Sequence, residues 1–155
     1  MVKSIYQFKV KGISGERIDF AEYEGKKILI VNTASECGYT PQYQQLQELY
    51  THFKDKLIIV GFPSNDFGGQ EPGSEADIQK FCERRYGVQF PLTEKIKIKG
   101  SDPHPVYQWL RKAAKDRQLE SDVKWNFHKF LIDETGQLTH SFPSAISPIG
   151  DQILE

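Results

Sequence analysis

Two cysteines, Cys37 and Cys82, are the residues of this chain best suited to covalent chemistry. Cys37 follows an apolar run, Ile28 to Val31, and precedes a segment of helical period that opens near Pro41. A thiol at a strand-to-helix junction faces backbone N–H groups and the positive end of a helix dipole, and both favour the reactive thiolate. The competing reading is a small buried residue at a strand end. Glu36 and Gly38 argue against it, because they place Cys37 in a polar, glycine-containing turn. With a second cysteine at position 82, a two-thiol redox cycle is arithmetically available.

Position alone does not make such a thiol fast. A free thiol of pKa near 8.5 is only a few per cent thiolate at pH 7. Lowering the pKa to about 6 raises the thiolate fraction roughly 30-fold. With a Brønsted slope of about 0.45, the same shift weakens the nucleophile roughly 13-fold. The net gain is about twofold. Speed must therefore come from donors that stabilise the charge developing on a departing atom.

Two segments offer such donors. Phe62 to Gly73 follows a second apolar run, Leu57 to Phe62, so it leaves the same sheet edge as Cys37. Sites in open α/β sheets form beyond the carboxyl ends of strands. Gln70 brings an amide there on a loop that glycines allow to approach closely, although a solvated glutamine on a surface loop has the same spacing. The glycines make a poor phosphate cradle, since no Gly-Lys-Ser/Thr follows them. Trp125 and Asn126 supply an indole N–H and a second amide just before a predicted strand, where a tryptophan is more often core.

These residues need elements to position them. Residues 5–10 and 17–20 suggest a hairpin around Gly12 to Gly15. Residues 27–33 and 57–62 read as strands buried on both faces. Tyr43, Leu46, Leu49, Tyr50 and Phe53 recur at helical spacing, with Pro41 near the start. A helix is expected from Ser74 through Cys82 toward Gly87, and another over 105–115. Ile96 and Ile98 suggest a short extended piece. Residues 127–133 and 137–142 read as a hairpin around Glu134-Thr135-Gly136, and a short helix is expected after Pro148. This order predicts an α/β fold: a thioredoxin-like three-layer sandwich with a mixed central sheet between helices and an N-terminal β-hairpin.

At 155 residues the chain fits one domain, taken as 1–155. A net charge of −1 with both signs interspersed gives no reason to expect a nucleic-acid or anionic-membrane partner. No apolar run approaches the roughly 20 residues of a membrane span. The start, Met1 to Tyr6, does not read as a secretory signal, so a cytoplasmic location is expected. Structural disulfides are uncommon there, which shifts two cysteines toward inert core or redox roles. The histidines at 52, 104, 128 and 140 lack ligand spacing, and no metal or cofactor is expected.

Three blocks carry a resemblance. Val31 through Thr40, Gly61 through Asn65 with Gln70-Glu71-Pro72-Gly73, and Trp125-Asn126-Phe127 resemble the signature blocks of the glutathione peroxidase family, in the right order. Tyr86 through Pro91 extends the similarity. The resemblance implies reduction of hydroperoxides, hydrogen peroxide and organic or lipid forms alike, at a peroxidatic Cys37 that carries sulfur rather than selenium. It implies a tetrad completed by Gln70, Trp125 and Asn126.

In the non-selenium, thioredoxin-using branch, a cysteine in the segment of Cys82 resolves the sulfenic acid, and thioredoxin then reduces the disulfide. A buried core cysteine is the plain alternative for Cys82. Recycling by glutathione, or relay of oxidation to a partner protein as a peroxide sensor, are the alternative functions; a purely structural thioredoxin-like binding module is a more distant one. Many relatives carry a cysteine where this chain has Ser64 and an amide where it has Asp66. An anion facing Cys37 would raise its pKa, so Asp66 is expected to point outward. Disulfide formation needs Cα atoms within about 7 Å, so local unwinding over Phe81 to Arg85 is expected on oxidation. The short span between Pro91 and Trp125 has no inserted loop of the kind that assembles tetrameric family members, and a monomer is expected.

Overall fold

The computed structural model describes residues 4–35, 39–53, 55–69, 71, 73–99, 103–119 and 121–146. Cys37, Gln70 and the expected helix after Pro148 lie outside them. An antiparallel hairpin, β1 (Lys9–Lys11) and β2 (Arg17–Asp19), precedes the main sheet. Then come β3 (Lys27–Thr33), α1 (Gln42–Phe53), β4 (Leu57–Pro63), α2 (Glu75–Tyr86), α3 (Pro105–Asp116), β5 (Lys129–Ile132) and β6 (Leu138–Phe142).

The main sheet has the order β4-β3-β5-β6. β3 and β4 are parallel, paired from Lys27↔Leu57 to Thr33↔Pro63, while β5 runs antiparallel to both β3 and β6. Alternate residues of the unbroken apolar runs feed two cores. Ile28, Ile30, Val60 and Phe130 pack with Tyr107 and Leu110 of α3 on one face. Leu29, Val31, Ile59 and Leu131 pack with Tyr43, Leu46 and Cys82 of α1 and α2 on the other. The expected three layers and mixed sheet are present.

Local chemistry sets the helix ends. Ser74 and Asp77 form a reciprocal capping box at α2, each backbone N–H donating to the other's side chain at 3.2 Å. Gly87 ends α2 at φ +59°, a conformation that a glycine adopts without penalty. Pro105 opens α3, where the missing N–H costs nothing.

Three local readings are corrected. Ile5–Gln7 is a 3-10 turn rather than strand, capped by the Ser4 side chain. Ile96 and Ile98 are not in a strand; the sheet contacts of that region fall earlier, at Leu92 opposite Gly61 and Thr93 opposite Gly12. β5 begins at Lys129, not Phe127, because Phe127 takes φ +65° and breaks the extended run.

Lys129 is fully buried at the start of β5. Its Nζ donates to the carbonyls of Ser144, at 3.0 Å, and Ile146. Gln42, the first residue of α1, donates to the same Ser144 carbonyl at 2.9 Å. No carboxylate among the described residues pairs with Lys129, and burial pushes its pKa down to about 7. A neutral amine has two N–H donors for these two acceptors. Because the folded pKa lies below the unfolded value near 10.4, the unfolded chain binds more protons between about pH 7 and 10, and stability rises with pH across that window. The rise is at most about 1.4 kcal/mol per pH unit. Lys129→Met is expected to remove it, read as the change in urea midpoint between pH 7 and pH 9; an unchanged pH dependence would show that Lys129 is not its source.

Candidate active site

β3 and β4 end side by side at Thr33 and Pro63, and the Ser64 N–H extends the ladder by donating to Thr33 O at 3.2 Å. Two loops therefore leave the same edge. The first departs at Ala34 and is closed by Thr40, whose Oγ1 donates to Ala34 O at 2.9 Å. Cys37 is in this loop by sequence and outside the described residues. The second loop is folded on its own side chains. Asn65 Oδ1 accepts from Glu71 N at 2.9 Å, and Ser64 Oγ accepts from Asp66 N at 3.3 Å. Gln70 falls between Gly69 and the buried Glu71, and is likewise outside the described residues.

The third piece comes to this second loop from across the sheet. Asn126 is fully buried, and its Nδ2 donates to Phe67 O at 3.2 Å. Trp125, 36% exposed, lays its indole over Gly68. A Cβ on Gly68 would stand 2.6 Å from Trp125 Cη2, so the contact requires glycine there. Trp125 and Asn126 are thus brought to the loop that carries Gln70.

Asn32, which the sequence reading passed over, holds this piece in place. Its Nδ2 donates to Trp125 O at 3.0 Å, and its Oδ1 accepts from His128 N at 3.0 Å. Its backbone carbonyl accepts from Phe127 N at 2.6 Å. A signal was present: an amide inside an otherwise apolar strand must be satisfied when buried, and so must bind something specific.

Asp66 is also accounted for. Its Oδ2 accepts from the backbone N–H groups of Ile98, at 2.6 Å, and Lys99, at 3.0 Å, which ties the loop to the segment before α3.

Cys82 lies on the buried face of α2, 1% exposed. Burial pushes its thiol up to about 12. The Tyr43 hydroxyl opposes that rise, while the Glu71 and Glu83 carboxylates add to it. Cys82 also borders a cavity of about 400 Å³, lined by Arg17 and Ile18 of the hairpin, Tyr50 of α1, and Phe90 and Leu92. At rest Cys82 is a protonated, unreactive thiol.

Comparison with known proteins agrees with this architecture. Over 95% of the chain, it superposes on a thioredoxin-family thiol:disulfide interchange protein from Chlorobium tepidum (90% of that chain) with a TM-score of 0.66 at 15% identity. The class is therefore a thioredoxin-fold protein. The apo structure of Trgpx is nearer, with a TM-score of 0.77 at 36% identity over 99% of this chain and 95% of that one. The family model for glutathione peroxidase matches residues 5–111. A glutathione peroxidase-like peroxiredoxin of Chlamydomonas reinhardtii is 47% identical over 92% of this chain and 88% of the relative. A hydroperoxy fatty acid reductase of Synechocystis is 44% identical over 94% of this chain and 89% of the relative. This chain belongs to the glutathione peroxidase family. It is a thiol peroxidase, an enzyme that takes a hydroperoxide substrate and a thiol reductant.

Paired glycines separate backbone strain from the indole contact. Gly68 and Gly69 both have positive φ, +71° and +62°, but nothing lies within 4 Å of a Cβ added at Gly69. Alanine at either position is expected to cost about 1–2 kcal/mol in stability. Gly68→Ala alone is expected to shift the Trp125 fluorescence and slow peroxide reduction. Equal activity in the two variants would remove the Trp125–Gly68 contact from the site.

Proposed function

We propose that Cys37 is the peroxidatic residue, that Gln70, Trp125 and Asn126 complete its site, and that Cys82 resolves the oxidised form for reduction by thioredoxin. The observation that carries this reading is the convergence of Trp125 and Asn126 on the Gln70 loop, at the sheet edge where β3 runs into the Cys37 loop. The Cys37 thiolate attacks the terminal peroxide oxygen. An S–O bond forms, the O–O bond breaks, and the departing oxygen takes up a proton to leave as water or alcohol. The indole and amide N–H groups stabilise the negative charge on sulfur and on the leaving oxygen.

Cys82 then attacks the sulfenic acid sulfur, giving a Cys37–Cys82 disulfide and water. Its packing against Tyr43, the second residue of α1 and only a few residues beyond Cys37, supports this pairing. Residues Phe81 to Arg85 unwind to bring the sulfurs together. A disulfide product calls for a dithiol, which favours thioredoxin over glutathione. The similarity to a hydroperoxy fatty acid reductase supports acceptance of lipid as well as hydrogen peroxide. No described helix is long and apolar enough to cross a membrane. The enzyme works as a cytoplasmic monomer, one domain over 1–155.

Cys37→Ser is expected to abolish peroxide consumption, measured by steady-state turnover; retention of most activity would sink the assignment. Cys82→Ser is expected to complete one stoichiometric turnover and then stall with thioredoxin as reductant. Continued cycling would mean that an external thiol resolves Cys37 instead. For Gln70→Ala, the second-order rate constant for Cys37 oxidation is expected to fall by about 10²-fold, and an unchanged constant in stopped-flow would take Gln70 out of the site.

A further inference from the structure

Tyr43 is fully buried in a cage of aromatic rings. Centroids of Phe127, Tyr86, Phe81 and Phe90 lie 5.3, 5.6, 6.5 and 6.5 Å from its own. Packing alone asks only for an aromatic ring at this position. Tyr43 also carries a hydroxyl that faces the Cys82 thiol and the Thr33 hydroxyl, with the Glu71 carboxylate near both Tyr43 and Cys82. Among the described residues, neither Tyr43 Oη nor Thr33 Oγ1 has a well-formed hydrogen bond at rest. A buried hydroxyl left in that condition costs roughly 1–3 kcal/mol.

A neutral thiol is a weak acceptor, whereas a thiolate accepts a charge-assisted hydrogen bond about twice as strong as a neutral one. The hydroxyl is thus matched to the deprotonated state of its neighbour. Deprotonation is the step that burial opposes and resolution requires.

We propose that the Tyr43 hydroxyl is a catalytic donor of the resolving step, hydrogen-bonding Cys82 Sγ as its proton leaves and stabilising the thiolate that attacks the Cys37 sulfenic acid. This rests on Cys82 being the resolving residue. Cys82 loses its proton to water, for which the adjoining cavity gives access. The thiolate forms the S–S bond, the Cys37 S–O bond breaks, and the departing hydroxide takes up one proton to become water. The Cys82 sulfur is oxidised by one level and the Cys37 sulfur reduced by one.

The groups facing Cys82 are Tyr43 of α1, Glu83 of α2 and Glu71 ahead of α2, with Glu16 and Arg17 across the cavity. Tyr43 is the one among them that lowers the cost of the thiolate within the cage. Both carboxylates raise it.

Tyr43→Phe keeps the cage and removes only the donor. In a Cys37→Ser background, the rate at which iodoacetamide alkylates Cys82 at pH 8.5 is expected to fall about threefold when Tyr43 is replaced, a roughly tenfold loss of thiolate partly offset by its greater nucleophilicity. This measurement reads the Tyr43–Cys82 bond whether or not Cys82 resolves. With Cys37 present, stopped-flow is expected to show an unchanged rate of Cys37 oxidation by peroxide, followed by disulfide formation slowed about threefold with its pH midpoint moved upward. Unchanged alkylation and an unchanged pH midpoint would overturn the donor role. No Cys37–Cys82 disulfide in the peroxide-treated parent protein, read by non-reducing mass spectrometry, would overturn the resolving role and the inference built on it.

Discussion

Asn32 is the joint on which the site depends. The sheet alone brings β3 beside β5, but pairing between those strands ends at Val31 and Lys129. Beyond that point the chain before β5 must bend back so that Trp125 and Asn126 reach the Gln70 loop. It does so through Phe127 at φ +65°, a conformation that costs a non-glycine residue about 1–2 kcal/mol. Three bonds from one residue hold the bend: two from the Asn32 side chain and one to its carbonyl. At roughly 1 kcal/mol each, they offset the strained torsion. The residue that fixes Trp125 and Asn126 is also five positions ahead of Cys37 in sequence, so the proposed donors and the start of the loop that carries the thiol share a single buried amide.

The two cysteines sit under opposite constraints on one fold. By sequence Cys37 belongs to the loop that leaves β3 at the carboxyl edge of the sheet. Cys82 is inside, between α2 and the aromatic cage around Tyr43. Burial that pushes a thiol up to about 12 keeps it from spending itself on stray oxidants. In the resolving role proposed for it, the same burial opposes the deprotonation that attack requires, and the Tyr43 hydroxyl is the group proposed to offset it. Lys129 shows the complementary case, a cation whose burial drives it toward neutrality while backbone carbonyls absorb its donors.

Much of this was legible before any coordinates. The unbroken apolar runs at 27–33 and 57–62 specify parallel strands buried on both faces, and that places the loops after them at one edge. The capping chemistry of Ser74 and Asp77 and the stop at Gly87 are local and were readable. The role of Asn32 was hidden because its partners are more than 90 residues away, and a strand-end amide does not announce what it will bind. Lys129 misleads for a similar reason. Its charge suggests a solvated strand edge, whereas the acceptors that permit its burial come from a later turn. The start of β5 was placed too early because nothing in Phe127 itself signals a positive φ; the torsion is imposed by the bonds to Asn32.

The proposed disulfide must compete with the end of α2. Bringing Cys82 to Cys37 by unwinding Phe81 to Arg85 gives up the bonds that close the helix, from Gly87 N to Glu83 O and Val88 N to Cys82 O, together with helical bonds of the last turn. At about 1 kcal/mol apiece, a few such bonds amount to roughly 3–4 kcal/mol. Closing a loop of about 45 residues contributes some 4 kcal/mol by constraining the unfolded chain. The two are of the same size, so the oxidised form need not be less stable toward unfolding than the reduced one. Next to that turn lies the cavity between the hairpin and α2, which gives the displaced residues somewhere to go without crossing the core. A helix end closed by a few backbone bonds, beside open volume, suits the role proposed for Cys82, buried when reduced and brought out on oxidation.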